Sequence, residues 1–189
     1  MYPNLELVDS LVHETLIAAG FVYDDSQRQP RIDIDRLGDD SRIWIFGISP
    51  TLDEDKTARL LRRIDGFLDQ WAAHGASIGS ARDVVEGSFL LVGVDRSSET
   101  SGCSIDRMFG TLKELERELG VSILDPNRVF VRHGDGRVTA VSRAEFAANG
   151  DADTHVFDTT AERMAEVRSG AWERRAADSW HAQLLSRPA

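Results

Sequence analysis

In this 189-residue chain one cysteine, five histidines and one run of small polar residues could do chemistry. Ser101-Gly102-Cys103-Ser104-Ile105-Asp106 lies between an apolar, strand-like run and a helical pattern. Ser104 is the expected N-cap, Asp106 falls in the first turn, and Cys103 immediately precedes the cap. A thiol held there feels the partial positive charge of the helix N-terminus, which favours thiolate. The same unpaired N–H groups suit a small anion, with the Ser101 hydroxyl beside them and Gly102 allowing close backbone approach. His74, ending a first long helix, and His181, following Asp178-Ser179-Trp180 in a last short one, are the imidazoles that could meet this loop.

Two functions fit those residues. The leading one is a binding module in which Ser101, Gly102 and Ser104, with His74 or His181, hold a small anionic ligand or a partner's acidic group. The alternative is a cysteine-dependent enzyme, with Cys103 as nucleophile, His74 or His181 as base, and Asp106 or Asp178 orienting the imidazole. A zinc ion on Cys103, His74 and His181 ranks below both, because no paired ligand spacing supports it. Each group also has an ordinary explanation. Ser104 and Gly102 are common capping residues, Cys103 packs as a small hydrophobe, and His74 sits well against a helix C-terminal dipole. His133 and His155 fall in a turn and at a strand edge, with no evident partner.

Other motifs fail. No Gly-x-x-x-x-Gly-Lys-Ser/Thr occurs, so a P-loop phosphate cradle is missing, and Gly134-Asp135-Gly136 reads as a hairpin turn. His13-Glu14-Thr15-Leu16-Ile17 starts like a zincin helix but carries Ile17 at the second ligand position. Asp151, Asp153 and Glu162 have calcium-loop spacing, but Val156 stands where that loop needs glycine. No cofactor is therefore expected.

The elements that must position these groups follow from apolar periodicity. Residues 4–20 read as an amphipathic helix, and 24–41 as a polar linker or a poorly packed edge with Ile32, Ile34 and Leu37 as its few anchors. The body is expected to begin at Arg42 with a buried strand, Ile43 to Ile48. A helix capped by Thr51 and Glu54 should run through Trp71 to Gly75. Strands over 80–86 and 88–95 turn at Glu86-Gly87-Ser88, and Phe89 to Val94 suits a central strand. A second helix, 105–119, precedes strands at 129–131 and 138–141. Capping boxes at Ser142–Glu145 and Thr159–Glu162 start short helices, and Asp178 caps the last one. That order predicts an α+β fold. It is a ferredoxin-like split βαβ sandwich with an extra C-terminal hairpin strand, short C-terminal helices and an N-terminal helical extension. Residues 1–41 are the acidic helix and linker, and 42–189 a single domain.

Composition narrows the partners. The 32 acids outnumber the 22 bases, for a net charge of −10, so no nucleic acid partner is expected. Twenty arginines against two lysines, with the acidic excess, suit a halophilic source. No apolar run is long enough to cross a membrane and no secretory signal opens the chain, so no membrane partner is expected. One cysteine makes a reducing cytoplasm the default compartment. Oligomeric state is left open.

Four strings together resemble a known family: Phe67…Trp71…His74-Gly75, the Ser101–Asp106 run, Lys113-Glu114-Leu115-Glu116…Glu118-Leu119-Gly120-Val121, and Asp178-Ser179-Trp180-His181. The chain is similar through them to an uncharacterised bacterial family whose members often carry the label "ABC transporter ATPase". The likeness spans Arg42 to Leu185, and Ser-Gly-Cys-Ser-Ile-Asp is its most specific part. It implies no activity, and the missing Walker motif speaks against the label. It does imply that Cys103, His74, Asp106 and His181 belong to a real site.

Overall fold

The computed structural model describes residues 34–73, 76–77, 79–96 and 102–185, with residues 72, 73, 76, 77, 103 and 104 described by backbone alone. The helix expected over 4–20 lies outside these residues. In chain order the elements are β1 (Arg42–Gly47), α1 (Glu54–Leu68), β2 (Ala72–Ala73), β3 (Ala76–Ser77), β4 (Ser80–Val85), β5 (Phe89–Val94), α2 (Gly102–Leu119), β6 (Arg128–Arg132), β7 (Val138–Ser142), α3 (Arg143–Asn149), β8 (His155–Phe157), α4 (Met164–Arg168) and β9 (Glu173–Arg175). Among the described residues there are also three short 3-10 turns, Ile34–Arg36, Ala176–Asp178 and Trp180–Gln183. The chain is α+β, with two main antiparallel sheets, β1-β5-β4 and β7-β6-β8-β9.

Alternation along β5 organises the molecule. Leu90, Val92 and Val94 point to α1 and α2 and join Leu60, Ile64, Met108, Leu112 and Leu115 in one core. Phe89 and Leu91 point the other way, into a second core with Phe130, Phe157 and Trp172 from the second sheet and its flank. A third core lies on the far face of that sheet, where Val129, Val131 and Val156 meet Phe146 of α3 and Ala176. The layers are therefore helix pair, sheet, sheet, and a thin cover of short helices and turns.

The strand order β1-β5-β4 is that of a split βαβ unit, but a single ferredoxin-like sheet does not form. The fourth place, beside β1, shrinks to one bridge between Ser49 and Ser122. The next two amides are already engaged: the Glu116 carboxylate accepts from the N–H groups of Ile123 (2.6 Å) and Leu124 (2.9 Å). Asp125 then accepts from the Asn127 N–H in a tight turn across Pro126, and the chain leaves to build the second sheet.

Several boundaries differ from expectation for identifiable reasons. Residues 34–41 are packed rather than a linker: Leu37 is 2% exposed, and Arg168 donates to the Leu37 carbonyl at 2.8 Å. α1 is capped by Asp53, whose carboxylate accepts from the Lys56 N–H, because the Thr51 hydroxyl is bonded to Ser88 instead. α1 ends at Leu68, and the fully buried Trp71 folds back against Phe67 and Trp44. No helix starts at Thr159, since Asp158 takes that segment's donors from Thr160. α4 begins at Met164, with Glu166 accepting from Glu162 and Arg163. The last segment is 3-10, and Ser179, not Asp178, caps it; Asp178 pairs with Arg175. The Ser142–Glu145 capping box and the β4–β5 turn form as expected, with Glu86 and Gly87 at φ 54° and 61°.

The two sheets approach closely at Gly47, where an added Cβ would lie 2.1 Å from the Phe130 ring. At Gly93 it would lie 2.3 Å from a methyl of Leu37, itself 2% exposed. Gly47→Ala and Gly93→Ala are each expected to cost about 1–3 kcal/mol in urea unfolding. A negligible effect at Gly47 would show that the sheets do not stack there.

Candidate functional site

His181 is 1% exposed. Its Nδ1 lies 2.7 Å from the Ser179 hydroxyl, its ring stacks on Trp180 with centroids 3.8 Å apart, and Phe146 meets it edge-on at 6.0 Å. Trp180 Nε1 donates to Asp158, and the Arg143 guanidinium lies over the other ring. Burial pushes the imidazole down to about 4, Asp158 acting against this and Arg143 with it. The Ser179–His181 separation is that of a nucleophile and its base. Yet Ser179 is the local cap, accepting from the His181 N–H, and the enclosed ring leaves no room for substrate.

The start of α2 is elsewhere. Its Ile105 and Met108 belong to the core between the helix pair and the first sheet, whereas His181 packs on Phe146 beyond the second sheet. Among the described residues His181 therefore packs on Phe146 and not on Ile105 or Met108 of α2. α2 begins at Gly102, so Cys103 and Ser104 lie inside its first turn and Ser104 is not the N-cap. Gly102 and Asp106 are exposed, and a Cβ on Gly102 would meet nothing within 4 Å. Ser101 and His74 lie outside the described residues.

A concavity opens on the outer face of the second sheet. It is a groove of about 760 Å³ between β6, β7, α3 and the Gly150–Thr154 loop, within the range of ligand sites. Val131, Val141 and Phe146 form an apolar floor, with His133 and His155 at the rim. Both histidines have partners that spacing did not show. His133 Nε2 is 2.7 Å from the Thr139 hydroxyl, and His155 Nδ1 is 3.6 Å from Glu173. Arg132, also in the lining, is held by Glu173 (2.7 and 2.9 Å) and Glu86; the guanidinium keeps the Glu173 carboxyl below the usual carboxylate range. Of the lining charges, Arg132 is opposed by Glu145, Asp151 and Asp153.

Among the described residues no three His, Cys, Asp or Glu side chains are grouped to hold a metal. The calcium-like spacing resolves into a turn, the Asp151 carboxylate accepting from the N–H groups of Asp153 and Thr154. The groove escaped sequence reading because it is a shortfall of cover. Val131 and Val141 announce an apolar outer face, but α3 has only seven residues and β8 pairs with β6 over only two. No family model, curated protein or solved structure matches this chain.

His181 supplies a pH test. Its folded value lies below the ordinary 6.5, so the unfolded chain binds the extra proton, and stability is lost as pH falls from 6.5 towards 4. Between pH 7 and 4.5 the wild type should lose about 2 kcal/mol more than His181→Leu in urea unfolding. Parallel losses would mean that the ring is hydrated in the folded state.

Proposed function

We propose that the protein is a binding module whose ligand occupies the groove between β6, β7 and α3. The groove itself carries this reading: a ligand-sized concavity with an apolar floor and a ring of hydrogen-bonding groups. The lining charges add to −2 with neutral histidines, from one arginine and three carboxylates. Arg132 is already saturated by two carboxylates. That balance favours an aromatic or aliphatic body bearing a positive charge or donor group, rather than the small anion expected at the start of α2. The cysteine-dependent alternative needs a base at Cys103, and His181 is spent on packing. A cytoplasmic home and membership of the bacterial family above are proposals that rest on the single cysteine and the four shared strings. No helix among the described residues is long and apolar enough to cross a membrane.

Thermal shift with matched probes tests the site. Phenethylamine should raise the melting temperature, phenylacetate should not, and Asn149→Trp at the groove's lip should remove the response. Stabilisation by the acid alone would reverse the charge assignment, and no response to either would remove the groove as a site. Alkylation of Cys103 by iodoacetamide should show a midpoint near ~8.5. A midpoint one or more pH units lower would restore the enzyme reading.

A further inference from the structure

A second concavity, about 450 Å³, opens between α1 and α2 on their exposed side. Arg59 meets Glu118 and Arg63 meets Glu114, so the helices run antiparallel and ion pairs close one half of their seam. The other half is open. Arg62 and Arg107 flank it from the two helices, both exposed and without an ion pair among the described residues. The lining holds three arginines and one glutamate, and that glutamate, Glu114, is already bonded to Arg63 at 2.9 Å. A concavity of charge +2 thus stands in a chain of net charge −10, opposite in sign to the groove beyond the second sheet.

The same lining contains Gly66 of α1 and Gly110 of α2, each one helical turn along from its arginine. A glycine inside a helix is destabilising relative to alanine. Packing within the described residues requires neither one, since an added Cβ would meet no atom within 4 Å. What both glycines do is keep the space between the two cations free of side chains. Gln70, a further turn along α1, adds an exposed amide to the rim. We propose that this notch binds a small molecule carrying a phosphate or diphosphate, gripped between the Arg62 and Arg107 guanidiniums. Arginine's planar fork donates paired hydrogen bonds to phosphate oxygens. Phosphate fits better than carboxylate because the two cations come from different helices. A carboxylate offers its two oxygens in one plane, whereas a phosphate or diphosphate offers acceptors on every side. The Arg63–Glu114 pair closes one end of the notch and the net negative charge of the chain repels an extended polyanion, so the ligand is small. This site is separate from the ligand groove and takes the opposite charge.

Isothermal titration of the full chain with inorganic pyrophosphate, at fixed ionic strength, tests this. One pyrophosphate per chain should bind saturably, and malonate should bind at least about tenfold more weakly. Arg62→Gln and Arg107→Gln should each weaken pyrophosphate about tenfold or more, since each removes charge-assisted hydrogen bonds. Gly66→Leu with Gly110→Leu fills the notch without touching the core. It should abolish binding while leaving the melting temperature unchanged or higher. Asn149→Trp, in the other groove, should leave pyrophosphate binding unchanged. No saturable binding would overturn the proposal, as would binding that survives both arginine variants and the leucine pair. Equal affinity for malonate would overturn the phosphate assignment, and loss of binding in Asn149→Trp would move the anion to the groove.

Discussion

Phe89 is the residue on which the two halves of the protein close. It is fully buried, and its ring meets Phe130, Phe157 and Trp172 with centroids 5.0, 4.6 and 5.0 Å away. Aromatic groups in tilted and edge-on arrangements bury large areas and add directional attraction. Because side chains alternate along a strand, placing Phe89 and Leu91 in this cluster commits Leu90, Val92 and Val94 to the helices. A strand apolar at every position can serve only where both faces are covered. That requirement makes the first sheet an inner layer and forces a second sheet against it.

The second sheet inherits a problem that the first does not have. Its inner face is filled by Phe130, Phe157 and their neighbours, and among the described residues its outer face is covered by α3, the C-terminal turns, Leu184 and Leu185. His181 belongs to this cover, as a neutral ring clamped between Trp180, Ser179 and Phe146. Cover at one end leaves Val131 and Val141 as the floor of an open groove at the other. The groove and the buried histidine are two results of one thin layer.

Local chemistry was readable where a short string decides the outcome alone. The Glu86-Gly87 turn, the Asp135-Gly136 hairpin, the Ser142 capping box and the central place of β5 all follow from spacing and residue type. Competition between distant groups was not readable. Thr51 lost its capping role to a bond with Ser88, 37 positions away, and Glu116 captured the amides that a fourth strand would have used. The site suffered similarly. His181 looks free in sequence, and only the second sheet shows that its neighbours are Phe146 and Ser179 rather than the start of α2. The fold class was legible because it is a sum over many residues, and the surroundings of His181 were not because they depend on a few long-range pairings.

Among the described residues the two stacked sheets leave a groove open beyond the second sheet. Binding there needs no moving part, since the floor consists of strand residues already fixed by the aromatic cluster behind them. The central claim is that this face, and not the start of α2, receives the ligand. A crystal structure grown with saturating phenethylamine tests it most directly. Electron density for the amine between Val131, Val141 and Phe146, its nitrogen towards Glu145 or Asp151, is the result predicted. An empty groove, with the amine or a counter-ion ordered at Gly102–Asp106 instead, would contradict it.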